Sequence, residues 1–508
     1  MTVVEPRVLP GQVTTVRVPA ADLEAVVRGL THLRLADMFA TDGDPPVLRL
    51  VWADDPGRAN GGITSGGTGD HPGYVIAETP IADTEYPALS GIAPAAFVEE
   101  CEIYEQFGIR PAAPGPGEPA RPLNRMMLPP HDANGDGVDV PTLGHKPREE
   151  PRDVRAPHTV GGSAFEFPFG PVRQAGAESL YYGLVTSGEE VVDLYLFTWH
   201  KHRGIEWRLA GRTPEEGLFF AERAEGLSAV AQGLAFARAA ENATGTTTPP
   251  AAENTRNVAL ELERLYNHAA AMAALCQSTG LSVGQSAAEI ALERFLRLNA
   301  EAFGHRYLFG VVTPGGARSA PDADAIRKHL PDTHGDFRHA ADALLTTNSF
   351  VDRLEATGIL SPGQATTLGL VGPVAIAARD GRGDALARFT VMLEQAAGSV
   401  RRIGELLDAG TAAESAALPK TGGTGLGWAE SPRGEALAWL ALDDGGRITR
   451  ARLRPASARN WRGFDDACRS QNVFTDVPII EASFWLTAAG MARLCSRFLL
   501  LSRRNPRT

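Results

Sequence analysis

Residues 223–245, RAEGLSAVAQGLAFARAAENATG, decide the fold when read together with residues 476–493, DVPIIEASFWLTAAGMAR. From Glu225 to Ala243 the first stretch is Ala-rich and is predicted to be a helix; the second opens a helix predicted over 478–501. Both lack cysteine. The chain's four cysteines, Cys101, Cys276, Cys468 and Cys495, are widely scattered and form no CxxC. That spacing builds neither a zinc ribbon nor a cysteine-held cluster. Scattered thiols in a large chain read as buried side chains in a reducing compartment.

At 508 residues the chain exceeds the size at which one core stops growing, so two domains are expected. Apolar content of 43% and charged content of 22% are those of a soluble globular protein. A net charge of −12, from 49 basic and 61 acidic residues, argues against nucleic-acid binding and against attachment to anionic lipid by charge. The opening MTVVEPRVLPGQ lacks the apolar segment of a signal peptide, and no run of about eighteen apolar residues occurs. No direct membrane span is therefore expected, and a membrane role would pass through a partner.

Residues 20–110 alternate helix and strand signals, and residues 1–110 read as a small α/β domain. Residues 20–33 and 95–107 have helical spacing, the second ending at Gly108. Residues 47–52 and 74–77 are short β-rich runs on either side of a glycine-rich tip at 61–69. Residues 111–162, rich in Pro, Gly and charge, read as a linker. There Asp132, Asn134, Asp136 and Gly137 imitate the start of a calcium loop. Leu143 stands where the closing Glu belongs, and Pro129, Pro130 and Pro141 forbid the flanking helices, so a solvated loop is expected.

From 163 to 508 the pattern is mainly helical. A hairpin is predicted from 180–185 and 191–197, then helices over 214–221, 251–277, 283–303, 323–357, 384–409 and 458–469. A second hairpin pairs 436–442 with 447–453. The glycine run 422–427, GGTGLG, lacks phosphate-loop spacing and reads as a flexible loop. The class is α+β: a small α/β N-terminal domain followed by a large bundle of long helices with edge β-hairpins.

Ordered motifs give this bundle a resemblance. They are Phe169-Gly170-Pro171 followed by Glu178, then KHRGIE at 201–206, ELERLYNH at 261–268 and WAESPRG at 428–434. With residues 223–245 and 476–493 they resemble the large subunits of nickel–iron hydrogenases. The branch is the membrane-bound one of formate hydrogenlyase, hydrogenase-4 and the 49-kDa subunit of complex I, the NADH-quinone oxidoreductase. EECEIYEQFGIRP at 99–111 and LNRMMLPPH at 123–131 resemble the 30-kDa subunit of complex I, which some members carry fused in front. The resemblance implies a 30-kDa-like domain over 1–110, a linker over 111–162 and a large-subunit-like domain over 163–508.

Departures from the family pattern set the expected chemistry. At its four cysteine positions stand Glu225, Ser228, Thr487 and Gly490. Soft thiolates suit nickel and iron, so the resemblance implies the housing of a metal centre without the centre, and no metal or cofactor bound by this chain. Quinone-reducing relatives rely on a His and a Tyr. Arg173 stands at the first position, and the second, within 211–214, holds no Tyr. Arg173, Glu178 and Arg433 join the four former cysteine positions in a vestigial metal or quinone pocket. Arg433 is expected to pair with Glu225, because a buried guanidinium needs an anion.

The resemblance places His202 and Arg203 in a turn facing the 4Fe–4S cluster of a small iron–sulphur partner, where a cation raises the reduction potential. Glu261, Arg264 and His268 share one helix face. They form either an intrahelix ion pair beside a held His or a buried polar strip facing the membrane arm. The implied function is that of a peripheral subunit on the cytoplasmic, inner face of the cell membrane. Its assembly would be a complex I-like or hydrogenase-4-like oxidoreductase, with electron transfer linked to quinone or NADH and antiporter-like membrane subunits as partners. Two alternatives are a non-redox structural or coupling subunit of an ion-translocating complex and an anion pocket around Arg433 and Arg173. The motifs assign no catalytic residue.

Overall fold

The computed structural model describes residues 11–54, 73–83, 85–112, 164–173, 178–201, 203–469 and 471–493. Its first sheet has the order β1-β4-β3-β2. β1 (Val13–Arg17) runs parallel to β4 (Gly73–Pro80), while β2 (Arg34–Thr41) and β3 (Val47–Asp54) continue it antiparallel. β2, β3 and β4 are buried along most of their length because both sheet faces are covered. One face packs on α1 (Leu23–Gly29) and α2 (Phe97–Phe107) through Leu23, Val27, Leu50, Val75 and Ile103. α2 stops where Gly108 turns left-handed at φ 69°. β5 (Glu85–Pro87) and β6 (Arg110–Ala112) pair in parallel beside it.

A second sheet is formed by β7 (Ala164–Phe169), β8 (Tyr181–Ser187) and β9 (Glu190–Phe197). The short α3 (Ile205–Leu209) leads to α4 (Pro214–Ala221), whose start is fixed by a Thr213–Glu216 capping box and a proline in the first turn. α5 (Ala229–Thr244), α6 (Pro250–Ser278) and α7 (Ser282–Phe303) follow. The two-residue pair β10 (Val312–Thr313) and β11 (Gly316–Ala317) leads into α8 (Ala323–Leu345), α9 (Asn348–Leu354), α10 (Pro362–Thr367), α11 (Gly372–Asp380) and α12 (Ala385–Asp408). α6, α7, α8 and α12 share one large core containing Leu262, Phe295, Phe337 and Phe389. The third sheet is β12 (Gly423–Ser431), β13 (Gly434–Leu442) and β14 (Ile448–Arg454). α13 (Ala456–Asn460), α14 (Phe464–Arg469) and α15 (Val477–Phe484) complete the order. The mixture of helices with separate small sheets is α+β.

The glycine run expected to be a loop is the strand β12. A Cβ on Gly423, Gly425 or Gly427 would lie 2.2 Å from the carbonyl oxygen of Ala243, Ala239 or Ala235 respectively. Glycines at the strand's period of two thus face alanines at the helix's period of four, and the backbones of β12 and α5 touch. Other differences lie at helix ends. Residues 225–228 precede α5 in non-helical conformation, with Leu227 at φ 60°. The stretch 323–357 breaks at Thr346–Thr347 into α8 and α9. The C-terminal helix stops at Phe484 because Trp485 is left-handed, at φ 52°.

The first sheet's other face packs on the third sheet, Phe39, Val51 and Ile76 against Leu426, Leu437 and Trp439. Ion pairs border this contact. Arg34 meets Glu435 at 2.7 Å, Arg452 meets Asp37 at 2.9 Å and Glu102 at 2.6 Å, and Glu99 faces Arg459 and Arg462. The expected tip at 61–69, the stretches 113–162 and 123–131, His202 and Cys495 lie outside the described residues.

Candidate functional site: a buried node between two chain segments

Residues 223–245 and 476–493 meet beneath the third sheet. A Cβ on Gly490 would lie 3.8 Å from Glu225 Oε1, and one on Gly226 would lie 3.7 Å from Thr487 Cγ2. Ser228 is fully buried, and its hydroxyl accepts a hydrogen bond from Arg433 Nη1 at 2.6 Å. Glu225, Ser228, Thr487 and Gly490 therefore gather around one point, with Arg433 beside them. The guanidinium also donates from Nε to the Trp485 carbonyl.

The expected Arg433–Glu225 ion pair is not formed. Arg433 is turned toward Ser228 at the start of α5. Glu225 points toward Gly490, where its carboxylate accepts only long bonds from Gln232 Nε2 at 3.4 Å and Ser457 N at 3.3 Å. The carboxylate nearer to α5 is Glu263 of α6. Its oxygens accept from Val230 N at 2.7 Å and Ala231 N at 3.0 Å, satisfying first-turn amides that Ser228 does not cap. Burial pushes the Glu263 carboxyl up to about 8, against the pull of those amides and of Arg433.

Arg173 is engaged as a fork by Glu481, at 2.8 and 2.9 Å, and donates from Nε to the Glu178 carbonyl at 3.0 Å. The Glu178 carboxylate accepts from the amides of Ala488 and Ala489, next to Thr487. Arg203 points into the protein. It donates to the carbonyls of Arg223, at 2.7 Å, Ala224 and Ala489, while its own amide donates to Ala492 O at 2.8 Å. Gly204 takes the left-handed conformation, φ 59°, that starts α3 directly after this turn.

The polar face of α6 is an intrachain strip. Arg264 pairs with Glu261, which accepts from Ser399 Oγ of α12 at 2.6 Å, and Arg264 also donates to Glu430 O at 2.9 Å. His268 Nε2 lies 3.1 Å from Gln395 Oε1. Burial first, and the Arg264 charge second, lower its pKa to about 3, so it is neutral. The strip faces α12 and the end of β12.

Sequence reasoning missed Glu263 and Asn267, although both lie inside ELERLYNH. Asn267 Nδ2 donates to Leu227 O at 2.7 Å, and its Oδ1 accepts from Trp485 Nε1 at 3.1 Å. Their mutual spacing of four was the available signal, marking a second polar face on α6.

The residues at the node do not fit a nickel–iron centre. They offer one carboxylate and two hydroxyls and no thiolate, and one hydroxyl already receives a guanidinium. At Gly490 a Cβ would stand 3.2 Å from the Pro455 ring. Among the described residues, no three His, Cys, Asp or Glu side chains gather as a metal site.

No family model matches the chain. It is 27% identical over 444 residues to formate hydrogenlyase subunit 5 of Escherichia coli (strain K12), covering 78% of this chain and 75% of that protein. It is 25% identical over 389 residues to a subunit of the NADH-quinone oxidoreductase of Akkermansia muciniphila, covering 64% of this chain and 91% of that one. Among solved structures, a chain of the membrane-bound sulfane sulfur reductase, an archaeal respiratory membrane complex, superposes with a TM-score of 0.59. The identity is 22%, over 65% of this chain and 99% of that chain, a likeness of fold. The chain is a homologue of membrane-bound hydrogenase large subunits and complex I 49-kDa subunits, the relationship its motifs implied.

Proposed function

We propose that the chain is a peripheral subunit of a membrane-bound, complex I-like or hydrogenase-like oxidoreductase. It contributes to electron transfer linked to quinone or NADH without holding a nickel–iron centre itself. The observation that carries this reading is the extent of the match to formate hydrogenlyase subunit 5, three quarters or more of both chains. Among the described residues no helix is long and apolar enough to cross a membrane, and in this reading the chain is held at the membrane by partners. These are a small subunit with a 4Fe–4S cluster and antiporter-like membrane subunits, on the cytoplasmic face of the cell membrane. Residues 1–110 act as a 30-kDa-like domain and 163–508 as the large-subunit-like domain, joined by 111–162.

A second reading is a structural or coupling subunit without a redox role. It is favoured by the engagement of Arg173, Glu178, Arg203 and Arg433 with protein groups, which already occupies hydrogen-bonding groups that these described residues could offer a quinone. Purification of the tagged full-length chain from mild-detergent extracts of membranes tests both. Co-purifying membrane subunits with stoichiometric iron and sulphide, and quinone reduction, support the first. Membrane subunits with no redox centre support the second, and a chain recovered alone from the soluble fraction overturns both.

A further inference from the structure

Two buried side chains, Arg433 and Asn267, and the half-buried Arg203 each touch both segments of the node. Arg433 joins Ser228 to Trp485, and Asn267 joins Leu227 to Trp485. Arg203 joins Arg223 and Ala224 to Ala489 and Ala492. Their acceptors include the two strained positions. Leu227 and Trp485 are non-glycine residues at φ 60° and 52°, a conformation that persists only when the surroundings over-determine it. The Leu227 carbonyl takes bonds from Asn267 and, at 3.0 Å, from Tyr266; the Trp485 carbonyl takes Arg433. Each strained turn is thus fixed by its own carbonyl, from a helix below and a guanidinium beside it.

We propose that Arg203, Asn267 and Arg433 form a brace that cross-links the two segments, so that the node reaches its final geometry without any metal ion. The donor set supports this from the opposite direction. A divalent cation placed among the four positions would meet the Arg433 charge and hydroxyls in place of thiolates. The inference concerns this chain's own assembly and stands independently of the complex it joins.

The test uses the full-length chain, prepared once with nickel and iron supplied and once in chelator-treated medium. Metal content by mass spectrometry should be far below one per chain in both, with identical melting curves. Hydrogen exchange in 225–228 and 485–490 should not change on addition of a strong chelator. Arg433→Met and Asn267→Ala should each speed exchange in both segments, about tenfold or more, while β2, β3 and β4 keep their protection. Arg433→Lys, which keeps the charge but not the fork, should recover only part of that protection. A stoichiometric metal whose removal loosens the node would overturn the proposal. So would substitutions that speed exchange in only one of the two segments, or in neither. If the substitutions prevent folding, the metal and chelator measurements on the unaltered chain decide it.

Discussion

Glu263 lies wholly buried beneath the start of α5, and its protonation is tied to folding. Its folded pKa, about 8, lies above its ordinary 4.5 because of burial. The stability it contributes is complete below about 4.5 and is lost as pH rises through about 8. His268, lowered to about 3 by burial and Arg264, behaves oppositely: its contribution is complete above 6.5 and is lost as pH falls toward 3. Between pH 7 and 8 Glu263 contributes most of the change, with a smaller share from Glu222, which burial raises to about 7, so stability in urea should fall by about 1–1.5 kcal/mol across that step, and Glu263→Gln should remove most of the fall. Glu225 makes a different case. Its bonds are long and it faces no guanidinium within ion-pair distance, so Glu225→Gln should change stability by less than about 1 kcal/mol in the same titration. An ion pair with Arg433 would have made that change several-fold costlier. The motifs led to the expectation that Glu225, Ser228, Thr487 and Gly490 share one pocket, and the two segments that carry them approach each other at Glu225 and Gly490. The motifs did not reveal the pairing, because an ungapped pattern fixes backbone position and says nothing of where a side chain turns.

β12 and α5 are an element pair in which absent side chains make the contact. Gly425→Ala would drive a methyl group to within 2.4 Å of two backbone atoms of α5, the Ala239 carbonyl oxygen and the Ala243 amide, and neither can yield. The expected result is a loss of about 3 kcal/mol or more, or failure to fold, seen in melting curves. Gly404→Ala is the control. It sits in the exposed side of α12 with nothing within 4 Å of its Cβ position, and it should stabilise by about 0.5–1 kcal/mol. The long helices were legible because their apolar spacing runs for many turns, and both hairpins because alternation and turn residues coincided. β12 was not, since a strand that packs by glycine carries no apolar alternation. The break between α8 and α9 and the stop at Trp485 were equally hidden. Neither has a glycine or proline at the break, and tertiary contacts impose the change of direction.

Across the whole molecule, the first sheet is fastened to the third by charges that the sequence presents as an ordinary solvated helix face. EECEIYEQFGIRP supplies Glu99 and Glu102, and the matching arginines come from 452–462, more than 340 positions away. Only the fold brings them together. Glu435 is the centre of the other cluster, accepting from Arg34 at 2.7 and 3.0 Å, Arg454 at 2.8 Å and Tyr74 at 2.7 Å. Burial alone would raise its pKa, but the charges and bonds of Arg34 and then Arg454 bring it down to about 2. Its contribution is present above about 4.5 and is lost as pH falls toward 2. Glu435→Ala removes that anion and leaves two guanidiniums buried between the sheets, so it should cost about 3–5 kcal/mol. The loss falls on the joint and spares each core. Urea unfolding of the variant should therefore split into two steps, with hydrogen exchange rising at the facing strands β2 to β4 and β12 to β14 before the cores of α6, α7 and α12 open. High salt should hardly alter the unaltered protein's midpoint, since buried pairs are poorly screened. A variant that still unfolds in one step at the unaltered midpoint would assign the joint to Phe39, Trp439 and their apolar neighbours alone.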